Sequence, residues 1–160
     1  LEKADPSKKH DIIINLQGDL PLLERSTITA AYDLMDNDQV DIGTVAAKII
    51  SSEEKLSPSI VKAIVAFNND GITGRALYFT RAPAPTGDGP MYHHIGLYTY
   101  KRHALERFVK LPISPLEQQE KLEQLRALEN GMRIDIALVD TVPFGVDTPE
   151  DLEKAKLLIK

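Results

Sequence analysis

Six residues near the start of the chain, Asp11-Ile-Ile-Ile-Asn-Leu16, form an apolar run that is closed at once by Gln17-Gly18-Asp19 and Pro21. The run is too short for a helix and is bounded by turn formers. It therefore reads as a strand buried on both faces, the type that parallel sheets of α/β proteins contain. Helical and β-rich signals then alternate. Ser26 is placed to cap a helix over 26–36, with Ile28, Ala31, Tyr32 and Met35 at helical spacing. β-rich stretches follow at 40–50, around Gly43, and at 60–67. The second ends in the turn-forming Asn68-Asn69-Asp70-Gly71, which leads into a further strand at 76–80.

Pro83, Pro85, Gly87, Asp88, Gly89 and Pro90 make residues 81–90 a loop or lid. Strand character resumes at 95–100, and 104–110 has the pattern of a short amphipathic helix. Ser114, Pro115 and Glu117 form a Ser-Pro-x-Glu start signal. Leu116, Leu122, Leu125 and Leu128 extend it as one helix that Gly131 terminates. A strand at 134–139 precedes Thr148-Pro149-Glu150-Asp151, which opens a last helix containing Leu152, Ala155 and Leu158. The interleaving predicts a mainly parallel or mixed α/β sheet, with some antiparallel pairing at the 68–71 turn. With no repeat, low-complexity tract or linker, residues 1–160 read as a single domain.

At 42% hydrophobic and 27% charged residues the chain can bury a core, and a net charge of −5 without a Lys/Arg block argues against nucleic acid as a partner. The absence of cysteine removes disulfides and thiolate-bound metal and makes the cytoplasm the expected compartment. No apolar run approaches the roughly 20 residues that span a bilayer, so no membrane partner is expected. A polar start on Leu1 rather than Met suggests a fragment.

Ligands of open α/β sheets gather beyond the carboxyl ends of the strands, and Asp19 follows a strand there. Asp147 has a comparable place, between the 134–139 strand and the last helix. Two such carboxylates suit Mg²⁺, which takes one or two carboxylates together with substrate phosphates and water. Local hydrogen bonding in turns and caps is the alternative for each aspartate. Arg81, at a strand end, can pair bidentately with a carboxylate or phosphate, or serve only as a surface salt bridge. His93 and His94 are adjacent on a strand and point to opposite faces, with no cysteine or third histidine nearby, so zinc is not expected. His94 shares a face with Tyr98 and can hydrogen-bond a polyhydroxylated ligand or be structural. Glu123 and Gln124 stand among the leucines of their helix and on periodicity alone face solvent.

Several segments in order carry a resemblance. Asn15-Leu-Gln-Gly-Asp19 with Pro21 resembles the N-x-Q-G-D-x-P segment of the CMP-Kdo synthetases, cytidylyltransferases that activate the acid sugar Kdo (3-deoxy-D-manno-octulosonic acid) for lipopolysaccharide assembly. Ala76-Leu-Tyr-Phe-Thr-Arg81-Ala-Pro resembles their A-L-Y-F-S-R-x-P, and His94-Ile-Gly-Leu-Tyr98-Thr-Tyr100 their H-I-G-I-Y-x-Y. Pro115-Leu-Glu117, the stretch from Glu120 to Gly131, and Gly145-Val-Asp-Thr-Pro-Glu-Asp-Leu152 are similar to later segments of the same family.

The resemblance implies a nucleotide-diphospho-sugar transferase-like mixed sheet flanked by helices, with a smaller antiparallel dimerisation region and a homodimer. It implies transfer of CMP from CTP to Kdo with loss of pyrophosphate. In that reading Asp19 and Asp147 are catalytic and hold Mg²⁺. Arg81 binds the Kdo carboxylate, and His94, Tyr98, Glu123 and Gln124 bind its hydroxyls, while Gln17 lies near the nucleotide. A cytidylyltransferase for another acid sugar such as sialic acid, or a noncatalytic sugar-binding or dimerisation module, remains open. Leu20 stands where many family members have Glu, a change expected to be tolerated. The family's first strand, its basic glycine-containing loop and its S-G-x-(D/E)-R segment have no counterpart here, so the chain is expected to be a C-terminal portion that is inactive alone.

Overall fold

The computed structural model describes residues 1–146 and 148–158. Its elements in chain order are β1 (Ile12–Asn15), α1 (Arg25–Asp33), β2 (Ile42–Lys48), α2 (Ser52–Leu56), β3 (Lys62–Phe67), β4 (Thr73–Thr80), β5 (Tyr92–Lys101), α3 (Arg102–Phe108), α4 (Pro115–Glu120), α5 (Gln124–Glu129), β6 (Ile134–Val139) and α6 (Pro149–Leu158). The six strands form one sheet in the order β1-β5-β2-β6-β4-β3, and β5 also reaches β3 through Lys62–His93 and Ala63–Tyr92.

Among the described strands only β2 and β6 pair in parallel; the other pairings are antiparallel. The expected sheet, mainly parallel or mixed, is therefore mixed. Two causes are visible. The 68–71 turn folds β3 and β4 into a hairpin, where Asn68 N–H donates to Thr73 O (2.8 Å) and Gly71 takes φ +64°. The long β5 also runs back between β1 and β2.

Each face of the sheet carries its own core. On one, Val45, Ala47, Ile95, Leu97 and Ala137 pack against Ala31, Leu34 and Met35 from α1 and the 3₁₀ turn that follows it. Gly43 sets the distance of that layer, because a Cβ there would stand 2.4 Å from Thr99 Oγ1 and 2.8 Å from Ala31 O. Thr99 Oγ1 itself donates to Ala31 O (2.8 Å), tying strand to helix where no side chain fits between them. On the other face Ile42, Ala46, Phe79, Ile134 and Ile136 pack against Ala104, Phe108, Leu122 and Leu125.

Three local expectations are corrected. β1 is not buried on both faces: it is an edge strand paired on one side with β5, Ile12 and Ile13 are half-buried, and Ile14 is 38% exposed. The α1 cap is Glu24 rather than Ser26, whose hydroxyl donates to the Glu24 carboxylate instead. The helix read over 114–131 is two helices, broken where Lys121 takes left-handed backbone (φ 59°, ψ 44°). The break turns Leu122 and Leu125 into the core, and a bidentate pair from Arg126 to Glu117 (2.8 and 2.6 Å) braces the elbow. Arg126 also lies over the Phe108 ring, 5.1 Å from its centroid. The start signal holds, with Ser114 at the N-cap, Pro115 first and the Glu117 carboxylate accepting from Ser114 N–H. Gly131, with φ +70°, ends the segment as expected.

Candidate active site

Register brings the first sequence segment to the middle of β5. Asn15 pairs with Tyr98, and Tyr98 pairs on its other side with Thr44 of β2. Immediately after β1 the chain turns, and the Gln17 side chain lies over Gly96, 3.6 Å from where a Cβ would stand. Asp19 is exposed in this turn beyond the strand end, and its carbonyl accepts from Val146 N–H (2.8 Å). The loop that follows β6 is thereby joined to the loop that follows β1. Asp147, the other expected metal ligand, lies outside the described residues. Among the described residues no three His, Asp or Glu side chains are grouped as a metal cage. Leu20 is partly buried and packs against the α1-side core, which is the physical reason an apolar residue is accommodated beside Asp19.

His94 and Tyr98 point to the α4–α5 face. β5 carries a bulge at Gly96–Leu97, where Thr44 pairs with Tyr98 but Val45 pairs with Ile95. The two extra residues preserve side-chain parity, so His94 and Tyr98 remain together with ring centroids 5.5 Å apart. His94 is 7% exposed, stands edge-on to Phe79 (4.7 Å), and lies 3.0 Å through Nε2 from Thr44 Oγ1. Burial pushes its pKa down from 6.5 to about 3, with a smaller contribution from His93, so the ring is neutral. Burial likewise raises the Tyr98 and Tyr100 phenols, and the Glu123 carboxylate nearby adds to both shifts. Glu123, at the start of α5, is exposed and borders an open groove of about 330 Å³ that Asn15, Tyr100 and Phe108 also line. Gln124 beside it is buried.

Arg81 stands just past the end of β4. Its Nε donates to Glu120 O (3.0 Å) and its Nη1 to Pro58 O (3.0 Å). Among the described residues no carboxylate side chain touches the guanidinium. Lys62, fully buried, donates to Ser57 O and Arg81 O, and burial followed by the Arg81 charge lowers its pKa. Two cations thus adjoin where the neighbouring acceptors are mostly backbone carbonyls, an arrangement with the charge to receive an anion. Glu120 couples this site to the elbow: its carboxylate accepts from Thr80 Oγ1 (2.8 Å) and Arg81 N–H (2.9 Å), three residues before Glu123.

Sequence reasoning missed Thr44, Lys62 and Glu120. Lys62 had a signal, a lone charge opening the apolar strand Lys-Ala-Ile-Val-Ala-Phe. Thr44 had none beyond a β-branched residue in a strand. Glu120 was hidden by reading one helix where the chain makes an elbow.

The family described as Cytidylyltransferase matches residues 1–134. A 3-deoxy-manno-octulosonate cytidylyltransferase of Bradyrhizobium sp. is 60% identical over 157 residues, covering 98% of this chain and 63% of that protein. One of Parvibaculum lavamentivorans is 59% identical, covering 96% of this chain and 59% of that protein. The chain thus spans less than two thirds of the length of these relatives. Among solved structures, CMP:2-keto-3-deoxy-manno-octonic acid synthetase complexed with CTP superposes with a TM-score of 0.85 at 35% identity, over 98% of this chain and 65% of that one. The mixed sheet is accordingly of the nucleotidyltransferase type, and no described helix is long and apolar enough to cross a membrane. With the family match extending from Leu1 to Ile134, the first residue of β6, the chain belongs to the cytidylyltransferase family.

Proposed function

We propose that the protein containing this chain transfers CMP from CTP to Kdo, forming CMP-Kdo and pyrophosphate for lipopolysaccharide biosynthesis. The observation that carries the reading is the guanidinium of Arg81, fixed by two backbone carbonyls beside buried Lys62 with no described carboxylate side chain on it. Such a site suits the carboxylate of an acid sugar. The relatives named for Kdo, and the structural neighbour complexed with CTP, support the same substrates.

In this reading the sugar carboxylate meets Arg81, and its hydroxyls meet neutral His94, Tyr98, Glu123 and Gln124. Gln17 lies toward the nucleotide. The anomeric hydroxyl attacks the α-phosphate of CTP and pyrophosphate leaves. Asp19, an exposed hard oxygen donor in a turn beyond a strand end, fits Mg²⁺, and Asp147 would be its second ligand. Mg²⁺ bound there would neutralise charge developing on the phosphate. The cytoplasm is the proposed compartment, in keeping with a chain that has no cysteine, and a homodimer is the proposed assembly.

The test is pyrophosphate release by the complete gene product with CTP, Kdo and Mg²⁺. Arg81→Ala is expected to raise KM for Kdo roughly 10- to 100-fold, the worth of a hydrogen-bonded charge. Asp19→Asn is expected to lower kcat by about 100-fold or more. Turnover with sialic acid and none with Kdo would overturn the substrate assignment.

A further inference from the structure

The β5 bulge leaves Leu97 out of register with β2, and the hydroxyl of Thr44 meets Leu97 O at 2.7 Å and Ile95 O at 3.2 Å. The same oxygen lies 3.0 Å from His94 Nε2, and Thr44 is fully buried. A threonine hydroxyl has one proton, and a carbonyl can only accept. The proton therefore goes to the nearer carbonyl, Leu97 O, and toward His94 the oxygen acts as acceptor. His94 must then carry its hydrogen on Nε2. Because the ring is neutral, Nδ1 is a bare acceptor, and it has no hydrogen-bond partner among the described residues.

We propose that Thr44 is a positioning residue that locks His94 in the Nε2–H tautomer and so presents Nδ1 as an acceptor to a hydroxyl of the acid-sugar substrate. This rests on the reading of His94 as a sugar contact. The lock is built from backbone. The bulge frees the Leu97 carbonyl, that carbonyl takes the only proton Thr44 has, and the buried threonine cannot turn away without leaving Leu97 O or the histidine N–H unpaired. A ligand hydroxyl arriving at Nδ1 finds the acceptor already formed. The opposite tautomer would present an N–H donor there in place of the acceptor and would have to rearrange first.

The experiment is long-range ¹H–¹⁵N NMR of the His94 ring in the complete gene product, with KM and kcat measured alongside for Thr44→Val and Thr44→Ser. The expected result is Nε2–H in the parent and in Thr44→Ser, and its loss in Thr44→Val. KM for Kdo should rise about tenfold in Thr44→Val, the loss of roughly one hydrogen bond, while KM for CTP stays put and Thr44→Ser remains within about twofold of the parent. A parent ring protonated on Nδ1 overturns the proposal whether or not Thr44→Val folds. So does a Thr44→Val protein that loses the tautomer and keeps its KM for Kdo. If the parent releases no pyrophosphate from CTP and Kdo, the sugar-contact reading fails and takes the substrate half of the proposal with it, while the NMR signal alone still decides the tautomer lock.

Discussion

The two faces of the sheet are built to different rules. Against α1 the strands offer Val45, Ala47, Ile95, Leu97 and Ala137, and the polar group pressed into the interface, the Thr99 hydroxyl, is satisfied by Ala31 O. Against α3, α4 and α5 the strands also offer an apolar core, yet the same face takes in buried His94, Thr44 and Tyr100 and partly buried Tyr98. The first face excludes everything but packing. The second keeps polar groups in a dry setting, where each one's protonation state is fixed by burial and by one or two partners. That asymmetry locates chemistry on the α4–α5 side before any ligand is considered.

The strongest way to break the comparison is to disturb the packed face. Gly43→Ala places a methyl 2.4 Å from Thr99 Oγ1 and 2.8 Å from Ala31 O, so α1 must shift and a buried hydrogen bond must be lost. A loss of about 3 kcal/mol is expected from overpacking at a site with backbone on one side. Chemical denaturation reads it directly; a cost below about 1 kcal/mol would mean that this layer is looser than its geometry.

The polar face should reveal itself through pH. His94 is neutral in the folded protein down to about pH 3 and takes a proton near 6.5 when unfolded, and burial lowers His93 in the same direction. Between those values the unfolded chain binds more protons, so stability is full above pH 6.5 and declines as pH falls. The slope is about 1.4 kcal/mol per pH unit for each proton of difference. Lowered carboxyls such as Glu117 act only nearer their own, more acidic range. Between pH 6.5 and about 4.5 the slope is therefore set by buried His94 with half-buried His93, and His94→Gln should flatten it. An unchanged slope would place the sensitivity elsewhere.

At the elbow, Glu117 and Arg126 form a bidentate pair with side chains only 12% and 13% exposed. Glu117→Ala leaves the guanidinium largely buried and is expected to cost about 2 kcal/mol. The pH sign is the carboxylate one. The Arg126 hydrogen bond holds Glu117 below its ordinary range, so this contribution is present at neutral pH and is lost as pH falls through the folded value. A double-mutant cycle with Arg126→Met separates the pair from the packing of the arginine stem on Phe108.

Much of this was legible in the sequence where the signal is local. The turn at 68–71, the 81–90 loop, the strand over Ile134–Val139 and the Ser-Pro-x-Glu start were all found from nearest neighbours along the chain. The apolar run of β1 misled, because run length reports hydrophobicity and not position in the sheet, and the strand lies at an edge. The α4–α5 break was invisible because the leucine spacing continues through Lys121, whose left-handed backbone goes with two features, the Glu117–Arg126 brace and the burial of Leu122. Arg81 and His94 could be named from the motifs they sit in. Their supports could not, since Thr44 lies 50 residues from His94 and Glu120 lies 39 from Arg81. The resemblance supplied roles, and the fold supplied partners.

The smallest effect sharpens the contrast by a control. Gly71 differs from Gly43 in that a Cβ there meets nothing within 4 Å, while its φ of +64° is one that side chains other than glycine disfavour. Gly71→Ala should therefore cost about 1 kcal/mol, the conformational penalty alone, with no repacking of either core. If Gly43→Ala and Gly71→Ala cost the same, crowding at Gly43 contributes nothing beyond what any glycine loses. If Gly43→Ala costs several times more and shifts the near-UV signal of the buried aromatics while Gly71→Ala does not, the difference measures how tightly the packed face is closed.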